Sequence, residues 1–459
     1  MRVPQVNGCS MAPFDAYPFG SILQPEVNWN PVHLVLNIGP LDALDVVLLL
    51  VISVLVFMIW RLVGHKECHY TDSPGHRIDG SLDALAGSTH GHPTEGNSIR
   101  LVSNAEYFEE VERAISSARK SVHFETFLWE DGETGSMVSE ALMAAARRGL
   151  KVRVMGDASG TRKLCARSTA NLRDAGCEVH RFHRIWKPMN FGRINIRDHR
   201  KILVIDGKLA IVGGHCITDQ WLKDGPKLPR YRDISAVITG PVVAHIQSCF
   251  FEGWTEITGE LFTDDATFPK LRPTGDSPAH VAFLKPDGCP SSVQVLHHLA
   301  IGYAKERIRI QNPYFLPDPS GVESLVNAAQ RGVDVQIMIP ALTATDSPLI
   351  ARAGRYQFKR LLEGGVRLFE YQPTLLHQKI LVVDGVWFGI GSSNFDDRSF
   401  EINKEITVGV ADPAVAGQLE QIFEEDLAEC REVTAADMQR RSVKDRLLDR
   451  FMYLFNEQF

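Results

Sequence analysis

From position 97 onward, apolar residues recur with two alternating periods, three to four residues and then continuous or two-residue runs, and this predicts helices alternating with strands. Phe108, Val111, Ile115 and Ala118 share a helical face that Asn104 is placed to cap, and Ser121 to Leu128 reads as a strand. A helix from about Met137 to Arg148 stops at Gly149, and Lys151 to Met155 is the next strand. The same rhythm returns later. Leu296, Leu299, Ala300 and Tyr303 line a helix before the strand Arg307 to Gln311; Leu325 to Arg331 ends at Gly332, and Val333 to Ile339 is again a strand. Arg148-Gly149 matches Arg331-Gly332, and Asp174-Ala-Gly176 matches Glu363-Gly-Gly365, so the chain is an internal duplication with a period of roughly 180 residues. The expected class is α/β, with two pseudo-symmetric lobes over 97–270 and 271–433 joined near Asp264 to Ser292.

Upstream the pattern differs. Residues 1–40, rich in Pro and Asn, read as an irregular leader. Every residue from Val46 to Trp60 except Ser53 is apolar, which predicts a single membrane helix over 41–63. Arg2 is the only Lys or Arg before this run, whereas Arg61, Lys66 and Arg77 follow it, so the lobes are expected on the cytosolic side of the cell's inner membrane. Residues 64–96, poor in apolar periodicity, read as a flexible linker; His65, Cys68 and His69 within it are read as solvated side chains rather than a metal site. The tail, 434–459, sets Leu447, Leu448, Phe451, Met452 and Leu454 among Arg441, Lys444, Arg446 and Arg450. That is the pattern of an amphipathic helix, against anionic lipid or against the domain core.

The chemistry sits at matching points of the two repeats. His199, Lys201 and Asp206 keep the same intervals as His377, Lys379 and Asp384, and the second set is followed by Gly391, Ser392 and Asn394. Lys379 to Val383 reads as a buried strand closed by an Asp-Gly turn, which sets His377 and Lys379 on one face. Imidazole beside ammonium suits phosphoryl transfer. The ring attacks phosphorus or protonates the departing oxygen, and the lysine neutralises nonbridging oxygens. Ser392 and Asn394 can add neutral hydrogen bonds to those oxygens. The first repeat has Gly214 and Cys216 at the corresponding points, Cys216 read as a packed thiol. Each histidine needs a carboxylate to fix its tautomer, and the candidates are Glu405 for His377 and Asp233 for His199. Asp206 and Asp384, at their turns, are open to a structural role.

The paired His-x-Lys-x4-Asp pattern with Gly-Ser-x-Asn resembles the phospholipase D superfamily. Asn312-Pro-Tyr-Phe-Leu-Pro-Asp318, Glu370-Tyr-Gln-Pro373 and Asp397-Arg-Ser-Phe-Glu-Ile-Asn403 are similar to strings of bacterial cardiolipin synthases. The resemblance implies both motifs lining one cleft between the lobes, with Asp206 and Asp384 part of the motif and no metal or cofactor required. It also implies transfer of a phosphatidyl group from one phosphatidylglycerol through a histidine to a second, giving cardiolipin and glycerol. Other readings on the same residues are a phospholipase D hydrolase, a nuclease and a silent scaffold.

The global numbers refine little. A net charge of -7 does not advertise a polyanion partner, so no nucleic-acid partner is expected, and eight cysteines without paired spacing read as reduced thiols. The expected partners are phospholipid and membrane, and the oligomeric state stays open. Two stretches of lobe 1, His183 to Ile196 with Trp186, Lys187, Arg193 and Arg197 close by, and Trp221 to Arg232, are candidates for a basic, aromatic rim or for plain surface loops.

Overall fold

The computed structural model describes residues 42–64, 77–182, 195–284 and 291–456, with backbone alone at 43, 57–64 and 284. The leader, the His65–Cys68–His69 cluster and Trp186, Lys187 and Arg193 lie outside these residues. The chain divides into two units, Met1–His65 and Lys66–Phe459.

In the first unit, helix α1 (Ala43–Gly64) forms where the apolar run predicts one. Its start is fixed by Asp42, whose carboxylate accepts from the amides of Leu44 and Asp45, both at 2.9 Å. Its described side chains, Leu44 to Val56, are exposed. Among the described residues no helix is long and apolar enough to cross a membrane.

The second unit opens with a short 3-10 turn, Ile78–Gly80, and α2 (Leu82–Ser88). The expected linker is therefore structured in its latter half. Ile78 and Leu85 are fully buried in the core of lobe 2, and their spacing with Leu82 and Ala86 was the helical signal that the surrounding Gly, His and Ser obscured.

Lobe 1 follows as β1 (Thr94–Ser103), α3 (Glu106–Ser117), β2 (Ser121–Thr126), α4 (Glu133–Arg147), β3 (Lys151–Asp157), α5 (Ala166–Asp174), β4 (Glu178–Phe182), β5 (Ile202–Ile205), β6 (Leu209–Gly213), β7 (Ile234–Thr239) and α6 (Val243–Thr258). Lobe 2 repeats it as β8 (Ser277–Leu284), α7 (Ser292–Tyr303), β9 (Arg307–Gln311), β10 (Phe315–Leu316), α8 (Pro319–Gln330), β11 (Asp334–Pro340), α9 (Pro348–Glu363), β12 (Arg367–Tyr371), β13 (Ile380–Val383), β14 (Trp387–Gly391), β15 (Phe395–Asp396), β16 (Glu405–Ala411) and α10 (Pro413–Leu427). The edge strand β17 (Cys430–Val433) and helices α11 (Ala435–Arg440) and α12 (Val443–Tyr453) complete the described chain.

Fifteen of these strands form one sheet in the order β17-β12-β11-β9-β13-β14-β16-β8-β1-β7-β6-β5-β2-β3-β4. Apart from β17 the order is a palindrome of the repeat, folded about the antiparallel β8–β1 pair. Buried Asn97 clamps that seam. Its Nδ2 donates to the carbonyls of Thr94 (2.8 Å) and Ser277 (3.0 Å), and its Oδ1 accepts from the Val242 amide at 2.8 Å.

Strand alternation then explains the layers. In β5, Leu203 and Ile205 pack into the lobe 1 core with α3 and α4, while Ile202 and Val204 face the other side; in β13, Leu381 and Val383 against Ile380 and Val382 repeat this. The face holding Ile202, Val204, Ile380 and Val382 is one continuous core shared by both lobes beneath α6 and α10. With both faces covered, the strands read as unbroken apolar runs.

Asp206 and Asp384 close the hairpins after β5 and β13 with left-handed φ of 52° and 54°. The Asp206 carboxylate accepts from the amides of Arg119, Lys120 and Ser121, and that of Asp384 from Lys305, Glu306 and Arg307. Each aspartate thus ties its hairpin to the start of the neighbouring strand, away from the histidines. Removing three charge-assisted bonds in Asp206→Ala or Asp384→Ala is expected to cost about 2–4 kcal/mol. Asn, which tolerates positive φ and keeps one acceptor, should cost less. Urea unfolding of the four variants checks this, and an Ala variant as stable as the parent would contradict it.

Candidate active site

The loops before β5 and β13 each cross to the other lobe. The His199 amide donates to the Lys404 carbonyl (3.0 Å), and the His377 amide donates to the Arg232 carbonyl (2.7 Å). In return the Lys404 amide donates to Arg197 (2.7 Å) and the Arg232 amide to Leu375 (2.9 Å). Each motif is therefore stitched to the other lobe, immediately before that lobe's carboxylate.

This crosses the expected partners. Nδ1 of His199 bonds Glu405 Oε1 at 2.8 Å, and Nδ1 of His377 bonds Asp233 Oδ2 at 3.0 Å, the reverse of the within-repeat pairing that the sequence suggests. The physical reason is the seam: β16 and β7 carry their acids toward it, and the opposing loop is the one pinned there. In both pairs Nδ1 is engaged, which assigns Nε2 as the reactive nitrogen.

The lysines lie against the rings. Lys379 Nζ is 3.1 and 3.2 Å from the two ring nitrogens of His377 and donates to its carbonyl at 2.9 Å. Lys201 Nζ donates to the His199 carbonyl and lies 5.3 Å from the Phe127 ring centroid. Both histidines, both lysines and both acids are buried. Burial, then the lysine charges, holds both imidazoles well below their usual proton affinity, which favours the neutral, nucleophilic ring. Burial also raises Asp233, raises Glu405 to about 7 and lowers Lys379 to about 7.

The two halves complete their acids differently. Ser392 does not stand ready for a phosphate oxygen: its hydroxyl donates to Glu405 Oε2 and accepts from the Ile406 amide at 3.1 Å. Gly214 stands at the equivalent point, and a Cβ there would come within 2.5 Å of Asp233 Oδ1. Asp233 is served instead by Trp221, whose Nε1 donates to Oδ2 at 2.8 Å and whose ring stands edge-on to His377, 5.0 Å between centroids. Trp221 lies at the same offset from His199 as Ser399 from His377, a signal that counting forward from each motif would have found. Asn394 is buried, with an Oδ1 that has no partner among the described residues. Cys216 is packed in the lobe 1 core. Asn104 caps no helix; its amide and Oδ1 bond the Asp233 backbone at 2.9 and 3.1 Å.

Behind each histidine lies a polar block. Arg200 is fully buried, held by Glu125 (3.0 Å), Asp198 (3.1 Å) and Glu252 (3.1 Å), and Lys404 from the other lobe also reaches Glu252 at 2.8 Å. At the matching points of lobe 2, Gln378 and Gln311 donate to Asp426, which pairs with Arg232 from lobe 1 at 3.0 Å. An ionic block backs His199, and a largely amide one backs His377. Of the expected rim, the Trp221 to Arg232 stretch folds onto lobe 2, where the Thr374 hydroxyl donates to the Pro229 carbonyl at 2.7 Å.

Two buried lysines and two neutral imidazoles form an anion site suited to a phosphodiester. A phosphodiester anion restores the charge of Lys379, so its binding at pH 8 is expected to take up as much as about one proton. Calorimetry of glycerophosphoglycerol binding in buffers of different ionisation enthalpy measures this. Lys379→Arg should lower the uptake, and none in the parent would contradict the assignment.

Residues 111–250 and 299–427 match the family model described as cardiolipin synthase, PLD-like domain. Cardiolipin synthase A of Pseudomonas putida is 35% identical over 346 residues, covering 75% of this chain and 71% of that protein. A probable cardiolipin synthase, YwiE, of Bacillus subtilis is 30% identical over 368 residues, covering 79% and 72%. Among solved structures, phosphatidylserine synthase of Haemophilus influenzae aligns with a TM-score of 0.63 at 16% identity, over 79% of this chain and 95% of that one. Polyphosphate kinase of Porphyromonas gingivalis shares the fold at a TM-score of 0.52 and 13% identity, over 85% and 57%.

Proposed function

The chain belongs to the cardiolipin synthase family of phospholipase D-like proteins, and from that premise we propose that it makes cardiolipin and glycerol from two molecules of phosphatidylglycerol. The observation that carries this reading is the pair of His–Lys sets completed by crossed carboxylates in one buried site. Nε2 of one histidine attacks the donor phosphorus, and the bond to the glycerol headgroup oxygen breaks as the second histidine, which enters the step as an imidazolium protonated alongside the bound phosphodiester anion, passes its Nε2 proton to that oxygen. Glycerol leaves. The second histidine then takes the proton from a headgroup hydroxyl of the acceptor phosphatidylglycerol, whose oxygen displaces the first histidine from phosphorus. Lys201 and Lys379 hold the nonbridging oxygens, and Asp233 and Glu405 stabilise each imidazolium as it forms. Phe127 and Trp221, edge-on to the two rings, help keep water from the covalent intermediate, favouring transfer over hydrolysis.

α1 is read as a membrane anchor, on the strength of the apolar run from Val46 to Trp60, with the lobes on the cytosolic side from the placement of Arg61, Lys66 and Arg77. An anchored enzyme meets donor and acceptor in one plane at high effective concentration.

The test is product analysis with headgroup-labelled phosphatidylglycerol in proteoliposomes. Cardiolipin with labelled glycerol is expected, and His199→Ala and His377→Ala should each lower turnover by at least about 10³-fold. Phosphatidic acid as the sole product would make the protein a hydrolase. No phospholipid turnover would remove the reading.

A further inference from the structure

Eight large apolar side chains of described residues beyond α1 are exposed, and six lie on α9 and α12 or at the end of α12: Leu349, Tyr356, Val443, Leu447, Phe451 and Leu454. The other two, Leu261 and Phe283, are elsewhere in the fold. α12 is turned inside out for a helix that packs on a protein. It buries Asp449 against Arg352 and Arg441, and Asp445 pairs inward with Arg352 at 3.2 Å, while Val443, Leu447, Phe451 and Leu454 form a stripe toward solvent. Lys444, Arg446 and Arg450 are the exposed charges of α12, all positive, in a chain of net charge -7. Between α12 and α9 lies a cavity of about 450 Å³ in whose lining the cations Arg355, Lys359, Arg441, Arg446 and Arg450 outnumber the acids Glu363 and Asp449.

We infer that the outer face of α9 and α12 is a docking surface for an anionic bilayer. An apolar stripe flanked mainly by cations, with Asp445 held in its pair to Arg352 and Glu363 beside Lys359, is complementary to acyl chains beneath anionic headgroups. Against a second copy of the same face it would oppose like charges. The surface also adjoins the site at both ends. Asn456, just past α12, donates to the Asp397 carboxylate, next to Arg398, a cation whose field reaches His199. Before α9, Asp346 accepts from the Tyr314 hydroxyl at 2.7 Å, and the Tyr314 ring is 6.3 Å from that of His377. Docking here would hold the site against the surface from which a lipid headgroup must enter. The inference rests on a lipid substrate only for its purpose, since the apolar and charge pattern stands alone.

The test uses the full chain in vesicles of phosphatidylglycerol and phosphatidylcholine, with Leu447→Trp, Phe451→Trp and, as control, Leu261→Trp, each read as the difference from the parent. Chain-brominated lipid should quench the added indole at 447 and 451 and not at 261, with iodide showing the opposite order. Iodide reaching 447 and 451 as readily as 261 would overturn the inference. Arg446→Glu with Arg450→Glu should lower turnover on vesicles on the order of tenfold or more while sparing dispersed short-chain phosphatidylglycerol; equal loss on both, or loss on neither, would also overturn it. Quenching without lipid turnover would leave the docking surface standing and remove only the transferase reading.

Discussion

Each histidine takes its orienting acid, and the acceptor of its amide, from the other half of the chain. The amide of His199 hangs from Lys404 and its ring from Glu405; the amide of His377 hangs from Arg232 and its ring from Asp233. Everything else follows from keeping that crossing in register. The β8–β1 pair with Asn97 sets the seam, the shared core under α6 and α10 makes the lobes one body, and Asp206 and Asp384 fix the hairpins behind the lysines. A lobe alone would carry a histidine without an orienting acid and an acid buried without a base. Duplication here supplies completion as well as a second histidine.

The pseudo-symmetry stops where charge begins. Arg200, fully buried, meets three carboxylates and the Cys249 carbonyl, so its desolvation is offset by a complete set of acceptors. Gln378 does the matching job with an amide. The acids differ too, Glu405 taking the Ser392 hydroxyl and Asp233 the Trp221 indole. The longer acid reaches past a serine, whereas the shorter one needs Gly214 for room and a large aromatic donor. The two imidazoles thus sit in different fields, which suits the unequal proton-transfer tasks proposed for them.

Much of this was legible in the sequence because periodicity and spacing are local. The repeat, the strand alternation around Ile202 and Ile380, and the paired His and Lys positions all came from intervals along the chain. What was not legible required knowing the seam. Asp233 and Glu405 were identifiable as acids at strand starts, but which histidine each serves depends on how two distant loops cross. Ser392 looked available for substrate because nothing in its neighbourhood announces that Glu405 comes back to it. Ile78 and Leu85 were hidden by polar neighbours, and the exposed stripe of α12 differs from a core-facing one only in which face packs on α9.

The crossing is tested most directly by imidazole ¹⁵N and Nδ1–H resonances of the histidine-labelled protein, assigned with His199→Ala and His377→Ala. Glu405→Gln should shift the His199 Nδ1–H signal and leave that of His377 near its original position, and Asp233→Asn should do the converse. If Glu405→Gln instead moved the His377 signal, each lobe would be completing its own histidine, and the account would fail.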